Sequence, residues 1–433
     1  MRPQPLTHAT MADAAGCHER DIRGWPLSVI MTPPNVVTRP GGGRRIAFVT
    51  PRYGDAVVGG SEAVVREAAH GLAERGYEVD VLTTCALDHY TWENEFPPGT
   101  TVDGRVTVRR FQTIQSRDRV HWGLVQERLL SGERLDEAEE LAWINGRFRV
   151  PDLYLYLSGH AEQYAAIVFS PYLFWSTLYC AGIAPERTIL MPCLHDEPYA
   201  YLRSVAAALV SCAAVWFLSE PEHQLAHRLA PVAAHHSVIG AAVKIPESYD
   251  RDGFRKRHDL QRPYVLYAGR REGGKGWQEL MVGFGIATRR HYLPFDLVTI
   301  GVGDAQTPPS LRQRIVDLGY LAPAEVPDAF AAADAFVQPS ANESFSRTIM
   351  EAWLAETVVI ASGASDVVTW HCERSGGGLV YADELELGQC LRFVAQAPEQ
   401  AAQLARMGRD YVLANYRWPS VLDAMERSLE DLL

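Results

Sequence analysis

Between Pro339 and Glu351 the chain reads Pro-Ser-Ala-Asn-Glu-Ser-Phe-Ser-Arg-Thr-Ile-Met-Glu, directly after the β-prone run Ala335-Phe336-Val337-Gln338. A strand that turns into a helix leaves the first N–H groups of that helix without carbonyl partners, and such groups bind anions. Ser344 or Ser346 can cap the helix. Glu343 falls in the loop before it, and Glu351 roughly a turn and a half inside. A phosphate at the helix start would sit between two carboxylates, each free to accept hydrogen bonds from sugar hydroxyls. This suits a nucleotide-sugar: diphosphate at the helix end, Glu343 towards the sugar, Glu351 towards the ribose. Taken alone, the pair reads equally well as a loop charge and a solvated helix residue.

Three further clusters bear on that reading. Gly269-Arg270 closes a strand, and Lys275-Gly276 follows a turn at Gly273-Gly274. Both cations could reach a diphosphate at the neighbouring helix start and neutralise charge on a leaving group; as isolated residues they would be ordinary surface cations. Gly59-Gly60-Ser61 precedes another helix and lets backbone approach a phosphate. The dinucleotide fingerprint G-x-G-x-x-G is absent there, which argues against a nicotinamide oxidoreductase. Leu194-His195-Asp196 follows a strand and places an imidazole at the edge of the same cleft, unless His195 is a structural histidine.

The elements that must hold these residues follow a βαβ rhythm. Arg45 to Thr50 and Val79 to Thr84 read as strands around a helix with apolar Val64, Val65, Ala68, Ala69 and Leu72, stopped by Gly76. Residues 121–146 read as helical. Strands resume at 166–169, 188–191 and 214–217. A second series begins with Tyr264 to Ala268, continues at Phe295 to Ile300 and Ala335 to Gln338, and closes at Thr357 to Ile360 around a helix near 346–355. The expected organisation is a flexible tail over 1–43, an α/β unit over 44–244, a linker over 245–263 and a second α/β unit over 264–433. Ligand then binds in the cleft facing the carboxyl ends of both parallel sheets.

Composition narrows the function class. A chain of 433 residues exceeds one ordinary core, and 47% apolar with 22% charged residues is globular usage. A formal charge of -12 argues against a dedicated nucleic-acid binder, which would show a basic stripe, while local basic patches remain open. Seven cysteines without a C-x-x-C pair suit reduced thiols and a cytoplasmic protein. No apolar run is long enough to span a bilayer, which leaves peripheral membrane contact open. Asp250-Arg251-Asp252 has metal-binding spacing but falls in the linker. His223 and His227 lack the glutamate of a zinc-protease motif, which favours a solvated helix face. Trp122, Trp143, Tyr154, Tyr156, Tyr164, Tyr172 and Trp175 are read as core, with sugar stacking as the other use of such rings.

Together these motifs resemble family 4 of the retaining glycosyltransferases, whose GT-B fold pairs two Rossmann-like, doubly wound domains across a central cleft. The matching residues are Pro339-Ser340 with Glu343 and Glu351, Gly269-Arg270 with Lys275-Gly276, His195-Asp196, and Gly59-Gly60. The resemblance implies that Arg270, Lys275 and the N–H groups of Ser344, Phe345, Ser346, Arg347 and Thr348 hold the diphosphate. It assigns Glu343 to the donor sugar, Glu351 to the ribose, His195 to the sugar near the reacting carbon, and main chain at Tyr320-Leu321 to the base. It further implies a metal-independent transfer without a cofactor, onto a glycan, lipid-linked or natural-product acceptor held by the first domain, with the last helix crossing back to that domain. Ala355-Glu356-Thr357, where a glycine is usual, and Trp370-His371-Cys372 depart from the pattern. A nucleotide-sugar epimerase or a non-transferring binder on the same fold is the alternative.

Overall fold

The computed structural model describes residues 44–116, 119–291, 293–304 and 306–432, so the segment 1–43 lies outside the described residues. The first half runs β1 (Arg45–Val49), α1 (Gly60–Glu74), β2 (Glu78–Thr84), β3 (Gly99–Asp103), β4 (Val106–Phe111) and β5 (Ile114–Gln115). It continues through α2 (Arg119–Leu130), α3 (Glu137–Gly146), β6 (Phe148–Arg149), α4 (Pro151–His160), β7 (Ala166–Phe169) and α5 (Trp175–Cys180). Then come β8 (Thr188–Leu190), α6 (Arg203–Ser211), β9 (Ala214–Phe217), α7 (Glu220–Leu229) and β10 (His235–Val238), followed by α8 (Arg251–Arg257), which pairs with Asp328 and Asp334 of the second half. The second half comprises β11 (Tyr264–Ala268), α9 (Trp277–His291), β12 (Asp296–Ile300), β13 (Ile315–Gly319), α10 (Val326–Ala331) and β14 (Ala335–Gln338). It ends with α11 (Arg347–Leu354), β15 (Val359–Ser362), α12 (Asp366–Ser375), β16 (Gly378–Tyr381), α13 (Glu384–Gln396), α14 (Pro398–Asn415) and α15 (Trp418–Glu430).

Two main sheets result. The first has the order β10-β9-β8-β7-β1-β2-β4-β3 and is parallel except for β3, which pairs antiparallel with β4. The second, β13-β12-β11-β14-β15-β16, is wholly parallel. In each, the strand order reverses beside the first strand, at β1/β7 and at β11/β14. At such a switch point the loops leaving the two neighbouring strands diverge and open a crevice at their carboxyl ends. Gly59, His195, Arg270, Lys275 and Glu343 all follow the carboxyl ends of strands at or next to those two points.

Central strands are apolar on both faces because both faces are covered. In β1, Ile46 and Phe48 join one cluster while Ala47 and Val49 join another. In β11, Tyr264 and Leu266 face the first of these clusters, and Val265 and Tyr267 face a third. The first cluster thus runs through both halves of the molecule. Helix α15 helps to close it: Met425 and Leu429 are fully buried, Trp216 Nε1 donates to Ser428 Oγ (2.8 Å), and Arg75 pairs with Asp423 and Glu426.

Residues 121–146 form two helices, not one. Gly132 turns the chain at φ +84°, and Asp136 starts α3 with a capping box, accepting from Glu139 N (2.8 Å) while Glu139 Oε2 accepts from Asp136 N (2.9 Å). The D-x-x-E signal was present and helical periodicity masked it. Asp250 of the D-x-D spacing caps α8, accepting from Gly253 N and pairing with Arg257. Gly376, at φ +60°, caps α12 and packs on Met407 of α14, while Gly377 packs on Gly408.

Where a glycine is usual after α11, Glu356 occupies the left-handed region at φ +57°. A side chain there is strained, whereas glycine is not. Glu356→Gly is therefore expected to stabilise the fold by about 0.5 kcal/mol, after the entropy cost of glycine in the unfolded chain is subtracted. Denaturant titration checks the sign.

Candidate active site

The loop after β11 is built around two adjacent arginines with different tasks. Arg271 is buried and donates to the carbonyls of Gly301 and Gly303 (3.0 Å each) and to Thr299 Oγ1 (3.2 Å), and it pairs with Asp317. Pinned this way, the loop turns Arg270 outward. Its Nη1 donates to His89 Nε2 (2.8 Å) in the loop after β2, and its Nη2 lies 3.1 Å from Glu272. Burial, then the charges of Arg270 and Arg52, push the His89 imidazole down to about 4, so it stays neutral and accepts.

Gly276 explains the approach of Lys275 to the motif loop. It has φ +68°, and a Cβ there would collide with the Pro339 carbonyl. The loops after β11 and β14 can therefore touch, and Lys275 Nζ reaches Glu343 Oε1 (2.7 Å) and the Asn342 carbonyl (3.3 Å). Ser340 adds a bond from its hydroxyl to the Gly274 carbonyl (3.3 Å). Burial alone would raise the Glu343 carboxyl, but Lys275, Ser340 and His195 outweigh it and hold the group below its ordinary value.

Neither serine caps α11. Ser346 is the N-cap residue at φ +65°, yet its side chain makes no bond to the helix; its hydroxyl and that of Thr348 accept instead from Gln338 Nε2 (2.8 and 2.9 Å). The first N–H groups of α11 thus receive no side-chain cap from the Ser346 hydroxyl. Phe345 is buried beneath the loop, its ring edge-on to His371 and Tyr416. His371 is fully buried, with Nδ1 3.0 Å from Tyr411 Oη, and burial pushes it down to about 3. The unusual Trp-His-Cys segment is thus a brace for the motif loop.

Glu351 lies one turn into α11, its carboxyl raised by burial and by Glu67, and lowered by Arg347. Arg347 Nη2 pairs with Glu67 Oε1 on α1 (2.8 Å), and Glu67 Oε2 accepts from Trp418 Nε1 (3.1 Å). Across the crevice from Glu343, His195 Nδ1 lies 3.4 Å from Glu197 Oε1, which also accepts from Tyr172 Oη (2.6 Å). Burial would raise Glu197, yet His195, Tyr172 and Lys275 keep it lowered. Asp196 points away to Tyr201 and Arg228.

The remaining expected residues are more dispersed. Gly59 is the N-cap of α1, and Gly60 begins the helix with open space around its Cα. The room above Gly59 is taken by the chain's own Glu62 carboxylate, paired with buried Arg52. Tyr320 is exposed and Leu321 buried just after edge strand β13, where Gly319 has φ +64°. Sequence reading passed over His89, Glu197, Glu67, Gln338 and Glu222. Glu197 directly follows a motif and Gln338 directly precedes one, but His89, Glu67 and Glu222 sit in segments without a motif signal.

Glu222 on α7 holds the His195 loop. It is buried, and its two oxygens accept from Leu194 N (2.7 Å) and Leu218 N (2.5 Å). Of the first-half aromatics, Tyr164, Tyr172, Trp143 and Trp175 are buried core, while Trp122, Tyr154 and Tyr156 pack on its margin. Trp122, Trp143, Trp175 and Tyr199 nevertheless line a cavity of about 60 Å³ that also takes in Arg147. Arg147 donates to the His89 carbonyl (2.8 Å), one residue link from Arg270, and has no carboxylate partner among the described residues.

Residues 262–396 match the family described as Glycosyl transferases group 1. Mannosylfructose-phosphate synthase of Agrobacterium fabrum is 28% identical over 217 residues, 41% of this chain and 45% of that protein, so the match spans less than half of that relative's length. Sucrose-phosphate synthase from Thermosynechococcus elongatus superposes with a TM-score of 0.69 at 18% identity, over 90% of this chain and 99% of that one. HepE of Anabaena, solved in complex with UDP-glucose, gives 0.64 at 15% identity over 89% and 99%. Trehalose-6-phosphate synthase of E. coli, bound with UDP-2-fluoro glucose, gives 0.64 at 11% identity over 90% and 99%. Residues 262–396 thus match the group 1 glycosyltransferases, and the fold of the chain is that of GT-B proteins. No helix among the described residues is long and apolar enough to cross a membrane.

Proposed function

We propose that the protein is a retaining glycosyltransferase that moves a sugar from a nucleoside-diphosphate donor to a hydroxyl acceptor. Residues 264–433 would hold the donor and residues 44–244 the acceptor. The observation that carries this reading is the Lys275–Glu343 pair beside the uncapped start of α11, facing His195 and Glu197. Structures of similar fold solved with UDP-glucose or its fluoro analogue support UDP as the donor nucleotide, with uracil as the base.

In this scheme the bond from the sugar's anomeric carbon to the phosphate oxygen breaks and its electron pair stays on the phosphate. Lys275, Arg270 and the α11 N–H groups receive that charge in a preorganised setting. The acceptor oxygen attacks from the face the phosphate leaves, and its proton passes to the departing phosphate oxygen. Glu343 and His195 orient the sugar, Glu197 fixes the imidazole, and Glu351 meets the ribose. The acceptor enters beside the aromatic cavity, where Arg147 has donors to offer a hydroxyl, phosphate or carboxylate oxygen.

Two outcomes test the assignment. Glu351→Ala should weaken donor affinity, whereas Glu343→Gln should mainly lower kcat, because the sugar changes charge during reaction and the ribose does not. Isothermal titration with UDP-glucose beside steady-state rates separates them, and equal losses in affinity would refute the division. The product should keep the donor's anomeric configuration, read from the anomeric proton coupling by NMR.

Glu197 supports a second reading, since an ionised first-half carboxylate in the crevice could serve as the base of an inverting reaction. Inverted product, together with loss of all turnover in Glu197→Gln, would select it. Incubating donor without acceptor and finding an isomerised sugar nucleotide would select an epimerase instead.

A further inference from the structure

We propose that His223, His227 and His236 form a binding site for a divalent transition-metal ion of the zinc class, on residues that the transfer chemistry does not use. His223 and His227 are one turn apart on α7 and project from one face, and His236 lies opposite on β10, the edge strand of the first sheet. One ring nitrogen of each comes within 4.8 Å of the others. The rings of His223 and His236 are 5.0 Å apart, and His227 is 4.3 Å from His223 and 5.2 Å from His236.

The hydrogen bonds decide which nitrogen faces the cluster. Nδ1 of His223 lies 3.2 Å from Glu220 Oε1, Nδ1 of His227 3.0 Å from the His223 carbonyl, and Nδ1 of His236 2.9 Å from the Ala233 carbonyl. Each Nδ1 meets an acceptor, so each carries the proton and donates, and each Nε2 keeps its lone pair. This is the arrangement that orients histidine ligands on metals, including the carboxylate–histidine pairing at Glu220. Nε2 of His223 is buried and has no partner among the described groups, a cost that a metal bond would remove.

Three imidazoles select zinc, cobalt, nickel or copper over magnesium or calcium, with water completing a tetrahedron. Small side-chain rotations would draw the nitrogens in to bonds of about 2.0–2.1 Å. The ion would tie α7 to β10. It would act as a structural clip, leaving the phosphate chemistry to Lys275, Arg270 and the start of α11.

The test uses the full chain, stripped with EDTA and freed of chelator. Titration with Co²⁺ should give one equivalent with the visible absorption of a tetrahedral complex, and Zn²⁺ in excess should raise Tm by about 3–5 °C. His227→Ala and His236→Ala, both at exposed positions, should each weaken binding by about tenfold or more. The double variant should lose the Co²⁺ spectrum while keeping wild-type circular dichroism and donor affinity. Wild-type binding in the double variant would place the ion elsewhere and overturn the proposal, as would failure of the wild type to bind Co²⁺. Transfer should persist after chelation; a rate abolished by EDTA in wild type and double variant alike would assign the essential metal to another site.

Discussion

Replacing Lys275 by alanine lowers kcat by about a hundredfold, the expected loss of roughly 3 kcal/mol when one preorganised group against a developing charge is removed. The ammonium lies 2.7 Å from Glu343, whose side chain is only 11% exposed, so its removal also leaves a carboxylate in a dry site without its counter-charge. The Glu343 carboxyl, held low in the wild type by Lys275, should then rise towards the value that burial favours. An acid limb in the pH–rate profile should accordingly move to higher pH in the variant. Lys275→Arg restores charge but not the compact ammonium, and should recover part of the rate. Because Glu343 loses its counter-charge, Tm should fall as well, so the rates are compared well below the variant's Tm. Steady-state kinetics with whichever nucleotide-sugar donor supports wild-type turnover decide the matter: a rate within threefold of wild type would remove Lys275 from the reaction.

Glu222→Ala is expected to cost about 3 kcal/mol of stability, because the buried N–H groups of Leu194 and Leu218 lose their acceptor. Activity should fall as well, since Leu194 precedes His195 and the loop would no longer be held. The pH dependence gives a sharper signature. Burial pushes the Glu222 carboxyl up to about 8 from 4.5, although the backbone N–H groups pull the other way. A group whose folded pKa is raised stabilises the fold at low pH, and that contribution drains away as pH rises from about 4.5 through 8. Glu222→Gln mimics the protonated carboxyl and should abolish this slope. The difference in Tm between wild type and Glu222→Gln, followed from pH 5 to pH 9, should move in the variant's favour as pH rises. A constant difference would show that Glu222 is ionised throughout.

Much of the local chemistry could be read from residue order. The cations Arg270 and Lys275 after a glycine-lined turn were legible, whereas the close approach of Gly276 to the Pro339 carbonyl is seen only in the structure. The alternation of β1 and β11 is invisible as polarity, because both faces are buried, yet the continuous apolar runs correctly signal a parallel sheet with helices on both sides. Strand β3 escaped notice for the opposite reason. It is exposed along most of its length and carries no apolar pattern, and its pairing with β4 is what makes it a strand. The break between α2 and α3 was legible in Asp136 and Glu139 and was overridden by helical periodicity.

What the sequence by itself determined, then, is the class of unit and the loops that matter: two βαβ series, a helix start after Gln338, and cations after Ala268. These are local properties, set by backbone propensity and by glycine and capping chemistry within a few residues. What only the tertiary structure decided is which groups meet across sequence distance. Arg271 pins its loop so that Arg270 finds His89, 181 residues away, and Gln338 draws off the hydroxyls that would otherwise have capped α11. Glu62 fills the room above Gly59, and Glu197 turns His195 towards the crevice. Each is a choice among partners of similar chemistry. Residue type limits who can bond, but burial and the packing of the two sheets choose who does.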